Sequence, residues 1–224
     1  MSRILVALLF VGVFAAVVMQ LMDEMGDKTA APDAPRSGYL VLAISWTPSW
    51  CAGDRAGRDD SRCDSGSGAG WLVHGLWPQF DRGGWPEFCE TSHAAPSRAQ
   101  TAAMHDIMGS DGLAFHQWRK HGTCSGLSAQ AYFDKTRAAF ETVILPERIS
   151  AAGGRLRISP DEMLSVFRSA NPDIGADMAI LTCRAGNAQE IRLCLTHDLT
   201  PRRCDAALLE RGCRARSVAL PALP

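Results

Sequence analysis

Two rhythms of apolar positions run through the chain after residue 38. The stretch YLVLAISW (39–46) is continuously apolar and partly β-branched, with Pro48 just beyond, which predicts a buried strand. WLVHGLW (71–77) predicts a second strand, interrupted by Gly75 and ended by Pro78. Between them, residues 51–70 are polar and Gly-rich and read as a loop. Residues 79–96 read as a long loop whose Cys89 suggests a staple. The rhythm then becomes helical. Ser97 is placed to cap a helix reaching about Met108 and closed by Gly109. A second helix is expected from about Gly112 to His121, with Gly122 in the capping position. A third starts at Ser128, carrying Tyr132, Phe133, Ala139, Phe140, Val143 and Ile144 at helical spacing. SPDE (159–162) is a capping box, and its helix ends before Pro172. DMAILTC and EIRLCLT flank RAGNAQ as a strand pair. Strands at both ends and helices in the middle predict an α+β fold with a central antiparallel sheet and flanking helices.

The N-terminus departs from this pattern. From Ile4 to about Met22 the chain is apolar on every face, after a single Arg3. Residues 1–25 are therefore expected to be either a cleaved signal peptide or an uncleaved membrane anchor, with everything from Asp23 onward exported to the periplasm or beyond. Residues 26–37, rich in Pro and Ala, read as a linker. The exported domain spans 38–214, and 215–224 is a C-terminal tail. Over 224 residues, 46% are hydrophobic and 21% charged, which supports one folded domain rather than disorder. The net charge of −1 argues against a dedicated high-affinity nucleic-acid binder and leaves brief contact during catalysis open.

Export changes the meaning of the eight cysteines, all of which follow the apolar segment. An even number outside the cytoplasm predicts four disulfides. A structural zinc site is disfavoured, because no C-x-x-C pair occurs.

The candidate chemistry is concentrated in FHQWRKHGTC (115–124). On a helix, His116 and Lys120 share one face, and so do Gln117 and His121. Four such side chains suit a small anion. His74 lies on an apolar strand between large aromatics, where a lone histidine is more often a satisfied core residue. Pairing with His121 changes that reading. Two imidazoles across a phosphate, with a cation beside them, are what RNA cleavage by its own 2′-hydroxyl requires.

WLVHGLWP and LAFHQWRKHGTC together resemble the two signature motifs of the ribonuclease T(2) family, and the resemblance extends over roughly residues 38–214. It implies an α+β, disulfide-stapled fold. The implied activity is metal-independent endoribonuclease cleavage of single-stranded RNA, with little base specificity and no cofactor. The products would be 2′,3′-cyclic phosphates and then 3′-phosphates. By position, His121 is the general base and His74 the general acid. Lys120 stabilises the phosphorane, His116 binds phosphate and Trp77 stacks on a base. Gln79 and Trp85 fall where the family often has further base-site residues. DNA, lacking the 2′-hydroxyl, is not a substrate. The chain is expected to act as a monomer that meets a membrane only through its N-terminal segment. The resemblance also implies a Cys89–Cys124 cross-link. Cys51–Cys63 would close the first loop, and the strand pair suggests Cys183–Cys213 nested around Cys194–Cys204.

One residue departs from the family pattern. Gln117 stands where most members have Glu. An amide keeps the shape and can hydrogen-bond, but it cannot hold negative charge. A catalytically attenuated RNA-binding or interaction protein on the same fold is the alternative this raises.

Overall fold

The computed structural model describes residues 38–53, 60–146, 149 and 156–223. The expected signal or anchor segment and the linker lie outside them. Strand β1 (Tyr39–Trp46) is the spine of the sheet, with every residue but Ser45 buried. It pairs antiparallel with β2 (Trp71–Gln79) on one side and β5 (Asn187–Leu195) on the other. Strand β4 (Ala179–Arg184) forms the expected hairpin with β5. Two short strands complete the sheet. β3 (Leu156–Ile158) pairs antiparallel with β6 (Val218–Leu220), which meets β5 through one parallel bridge, Asn187–Ala219. The sequence placed residues 218–220 in a tail, yet all three are buried. Three residues are too few for a periodic signal.

Helices pack over the sheet in the middle of the chain. Helix α1 (Thr47–Ala52) begins directly after β1 with Pro48 in its first turn, where no amide hydrogen is needed. The helix expected from Ser97 to Met108 is two shorter ones, α2 (Arg98–Ala102) and α3 (His105–Met108). At the break, Arg137 donates to the Ala103 carbonyl at 2.7 Å, satisfying it from outside the helix. Helix α4 (Asp111–Lys120) carries the polar cluster, and α5 (Ala129–Glu141) packs Tyr132 and Phe133 into the core. α5 stops before Val143 and Ile144. There the side chain of Asn171 takes both the N–H and the C=O of Ile144, each at 2.8 Å. Helix α6 (Pro160–Ala170) is capped by Ser159, whose hydroxyl accepts from the Glu162 amide. A last short helix, α7 (Ala206–Leu209), follows β5.

Pro78 does not end β2, which runs on to Gln79. β2 is the edge of the sheet, so the missing amide hydrogen of proline breaks no ladder. Four disulfides join Cys51 to Cys63, Cys89 to Cys124, Cys183 to Cys213 and Cys194 to Cys204. The second ties the loop after β2 to the segment after α4. Beside it, the Phe88 amide donates to the Lys120 carbonyl at 2.8 Å, one of the carbonyls that the end of α4 leaves open.

Candidate active site

The site begins with an irregularity in β2. Along β1, Ala43 pairs with Gly75 and the next residue, Ile44, pairs with Val73. His74 is the extra residue of a β-bulge, and the bulge changes which face each later residue takes. Val73 and Leu76, three apart, are both buried in the core. His74 and Trp77, also three apart, share the opposite face with their ring centroids 5.2 Å from each other. A regular strand would send residues three apart to opposite sides. Gly75 is required here by close approach, because a Cβ on it would overlap Gln117 Oε1 and Trp77 Nε1.

The second half of the site is the end of α4. Helical geometry ends at Lys120, one residue before the sequence suggested, and His121 becomes the cap. Its amide still donates to the Gln117 carbonyl at 2.9 Å before a 3-10 turn, Gly122–Cys124, carries the chain away. The His121 ring lies 5.4 Å from the Trp77 ring, so one indole lies against both imidazoles. Trp77 donates its indole N–H to Gln117 Oε1 at 2.8 Å. Gln117 is thereby buried at the centre of the cluster.

All eight residues nominated from sequence line one cavity of about 260 Å³. His74, Trp77 and Gln79 come from β2; His116, Gln117, Lys120 and His121 come from α4 and its cap; Trp85 comes from the loop. They do not contribute equally. Gln79 turns its amide to the Pro78 carbonyl at 2.9 Å, so it is engaged with its own backbone. Trp85 is partly exposed, donates to Glu87 at 3.2 Å and carries Arg211 over its ring at 4.7 Å. Lys120 Nζ lies 3.3 Å from Glu87.

Electrostatics separate the two histidines. Burial, then the positive charges of Lys120, His74 and His116, push the pKa of His121 down to about 3. Its Nδ1 is buried with no hydrogen-bond partner. His116 is lowered too, by burial and then the charges of Lys120, His74 and Arg119. His74 instead places Nδ1 2.6 Å from the Glu190 carboxylate. Burial alone would raise the pKa of Glu190, but the hydrogen bond and charge of His74, joined by Arg192, hold it at about 2. Glu190 and Arg192 were not singled out from sequence. The available signal was a carboxylate and a guanidinium two apart, on one face of a strand. A second cavity, about 550 Å³, shares His74 and Arg192 with the first and is bordered by Glu190. Among the described residues no cluster suited to a metal ion occurs.

The chain resembles known ribonucleases in sequence and in fold. It is 30% identical over 168 residues to a probable ribonuclease of Haemophilus influenzae, covering 70% of this chain and 57% of that one. It is 40% identical over 99 residues to a ribonuclease of Aeromonas hydrophila, covering 44% and 43%. The chain thus spans about half the length of these curated relatives. Among solved structures, an RNase-related protein from Calystegia sepium superposes with a TM-score of 0.66 at 20% identity, over 85% of this chain and all of that one. Trichomaglin, described as a novel S-like ribonuclease, gives 0.65 at 22%, over 84% and 100%. These two likenesses establish the α+β fold. The sequence model of the Ribonuclease T2 family matches residues 37–204, and the chain belongs to that family.

Proposed function

We propose that the protein is an endoribonuclease that cleaves single-stranded RNA by transphosphorylation, with little base specificity and without a metal. His121 takes the proton of the 2′-hydroxyl, and the 2′ oxygen bonds to phosphorus. The bond from phosphorus to the 5′ oxygen breaks, and His74 gives that oxygen a proton from Nε2. A 2′,3′-cyclic phosphate results. Water then opens it to a 3′-phosphate with the two imidazoles exchanging roles. Lys120 stabilises the negative charge that builds on the phosphorane, and His116 binds the phosphate. Gln117 offers a hydrogen bond, and Trp77 stacks on a base with Gln79 and Trp85 nearby.

The observation that carries this reading is the convergence of His74, Lys120 and His121, from two separate elements, on one cavity. The depressed pKa of His121 fits a base that must be unprotonated at neutral pH. A bound phosphodiester would offset the surrounding cations and restore some of the imidazole's basicity. Two cavities meeting at His74 suit a strand that continues on both sides of the scissile bond.

The test is incubation of the purified protein with RNA in EDTA, with nucleotide products separated by chromatography. Cyclic phosphates are expected early and 3′-phosphates late, with DNA uncut. Activity abolished by the chelator, or 5′-phosphate products, would sink the reading. One observation favours the attenuated alternative: the Gln117 carbonyl is spent on Trp77, and an amide replaces the usual carboxylate one helical turn from His121. Tight RNA binding without turnover would establish it.

The same reading divides the chain into signal or anchor (1–25), linker (26–37) and a catalytic domain that begins at 38 and takes in β6 (Val218–Leu220) of its sheet. It makes the protein an exported monomer. The apolar N-terminal run and the paired cysteines support export. Among the described residues no helix is long and apolar enough to cross a membrane.

A further inference from the structure

We propose that Glu190 is the positioning residue for His74, holding the imidazole so that Nε2 alone faces the leaving oxygen. This rests on the ribonuclease reading and adds to it a residue on a strand distant in sequence from both motifs.

A carboxylate buried in a sheet is costly unless it is paired and hydrogen-bonded. Glu190 is 8% exposed, and both of its oxygens are engaged. Oε1 accepts from the Ser45 hydroxyl at 2.9 Å and lies 2.6 Å from His74 Nδ1. Oε2 accepts from Arg192 Nε at 2.8 Å and lies 2.7 Å from Arg192 Nη2. Sheet register explains how these groups meet. Ser45 stands opposite Glu190 across the β1–β5 pair. Arg192 is two residues along β5, on the same face. His74 reaches over from β2 because the bulge turns it outward. The carboxylate is therefore held by three contacts from two residues before it meets the histidine, so it has little freedom to turn. Arg192 also lies over Trp77, 5.1 Å from the ring centroid, which ties the clamp to the indole between the imidazoles.

A carboxylate only accepts, so the contact fixes a proton on His74 Nδ1. The imidazolium then has one proton to give, on Nε2. When the phosphorus–5′-oxygen bond breaks, that proton passes to the oxygen. The ring is left neutral with its remaining proton still donated to Glu190. Free imidazole has no such constraint, and either nitrogen could turn to the substrate.

Two substrates separate positioning of an acid from general support of the site. A dinucleoside monophosphate has a poor leaving group that needs the proton. Uridine 3′-(4-nitrophenyl phosphate) expels a nitrophenolate that does not. In Glu190→Gln, kcat on the dinucleoside phosphate should fall about tenfold or more, with KM and the aryl ester rate each within about twofold. Equal losses on both substrates would make Glu190 merely structural. A rise in KM with kcat unchanged would make it a binding group of the 550 Å³ cavity. Either result overturns the proposal. A second readout uses the unaltered protein, so an unstable variant cannot shelter the idea. In ¹⁵N NMR at a pH where His74 is neutral, its proton should reside on Nδ1, and finding it on Nε2 overturns the proposal. If the wild type cleaves neither substrate, the ribonuclease reading itself fails and this inference falls with it. If the wild type is active and only the Glu190 predictions fail, the reading stands and the inference alone is lost.

Discussion

His74 and His121 sit in opposite surroundings. His74 is held by a buried carboxylate that is itself anchored by Arg192 and Ser45. His121 is buried beside an amide, its Nδ1 has no partner, and the charges near it are positive. A proton donor benefits from a fixed anion behind it. A proton acceptor benefits from surroundings that keep it neutral. Under the proposed reading, environments that divide two like groups in this way suit His74 to give a proton and His121 to take one. The division comes from different structural devices. On the His74 side, one extra residue in an edge strand turns the ring toward β5. On the His121 side, a helix ends one residue early and its cap is turned into the cavity.

The broadest way to break this comparison is to remove each imidazole. His74→Ala and His121→Ala should each lower turnover on RNA by roughly 10²-fold or more, the usual scale for losing a general acid or base. Initial rates on a dinucleoside phosphate decide it. The aryl ester should then tell the two apart: His121→Ala remains crippled on it, whereas His74→Ala recovers most of the wild-type rate. Equal recovery in both variants would erase the distinction between acid and base.

Most of the candidate cavity's polar lining was legible in the sequence, because it lies in two short segments with chemistry-bearing residues at helical and strand spacing. The geometry was less so. Gly75 was visible as an interruption, but the bulge at His74 depends on which residues of β1 face β2, and β1 is distant in sequence. Glu190 escaped notice for a similar reason. A buried carboxylate gains meaning only once its partners are known, and two of the three come through sheet register rather than from its neighbours in the chain. Ser45 lies on β1, His74 on β2, and Arg192 two positions along β5. Local capping was read better than helix length. Ser97 and Ser159 cap as their sequence suggests, whereas α5 ends where Asn171, from another helix's C-terminus, takes over the backbone of Ile144. β6 had no signal of its own and is fixed by pairing with β3.

A finer test alters one charge on the His121 side. Gln117→Glu would place a carboxylate one turn from His121, and the indole of Trp77 could donate to it as it does to the amide. A negative charge favours the protonated imidazole, so the depressed pKa of His121 should rise, by about one unit. The acidic limb of the pH–rate profile should move up accordingly. Turnover at neutral pH should rise severalfold, because a stronger base takes the 2′ proton more readily. An unmoved limb with no gain in rate would mean that apolar burial, not the missing charge, governs His121.

A separate readout, stability, concerns both histidine environments at once. Burial and neighbouring cations depress His121 from 6.5 to about 3, so below pH 6.5 the unfolded chain binds a proton that the folded chain refuses. Stability should fall as pH drops through that window, with a slope of at most about 1.4 kcal/mol per pH unit, and should level off near pH 3. Glu190 acts in the same sense lower down. Its carboxylate is depressed from 4.5 to about 2, so the stability it contributes above pH 4.5 is lost as pH falls through about 2. Between pH 6.5 and 4.5 His121 therefore acts without Glu190. Urea unfolding at pH 6.5, 5.5 and 4.5 should show a decline in the wild type that is markedly shallower in His121→Leu, whatever that variant's absolute stability. The same comparison for Glu190→Gln should flatten the curve between about pH 4.5 and 2. Parallel declines in the wild type and His121→Leu would mean that His121 accepts its proton in the folded protein as easily as in the unfolded chain, and the contrast between the two imidazoles would lose its electrostatic basis.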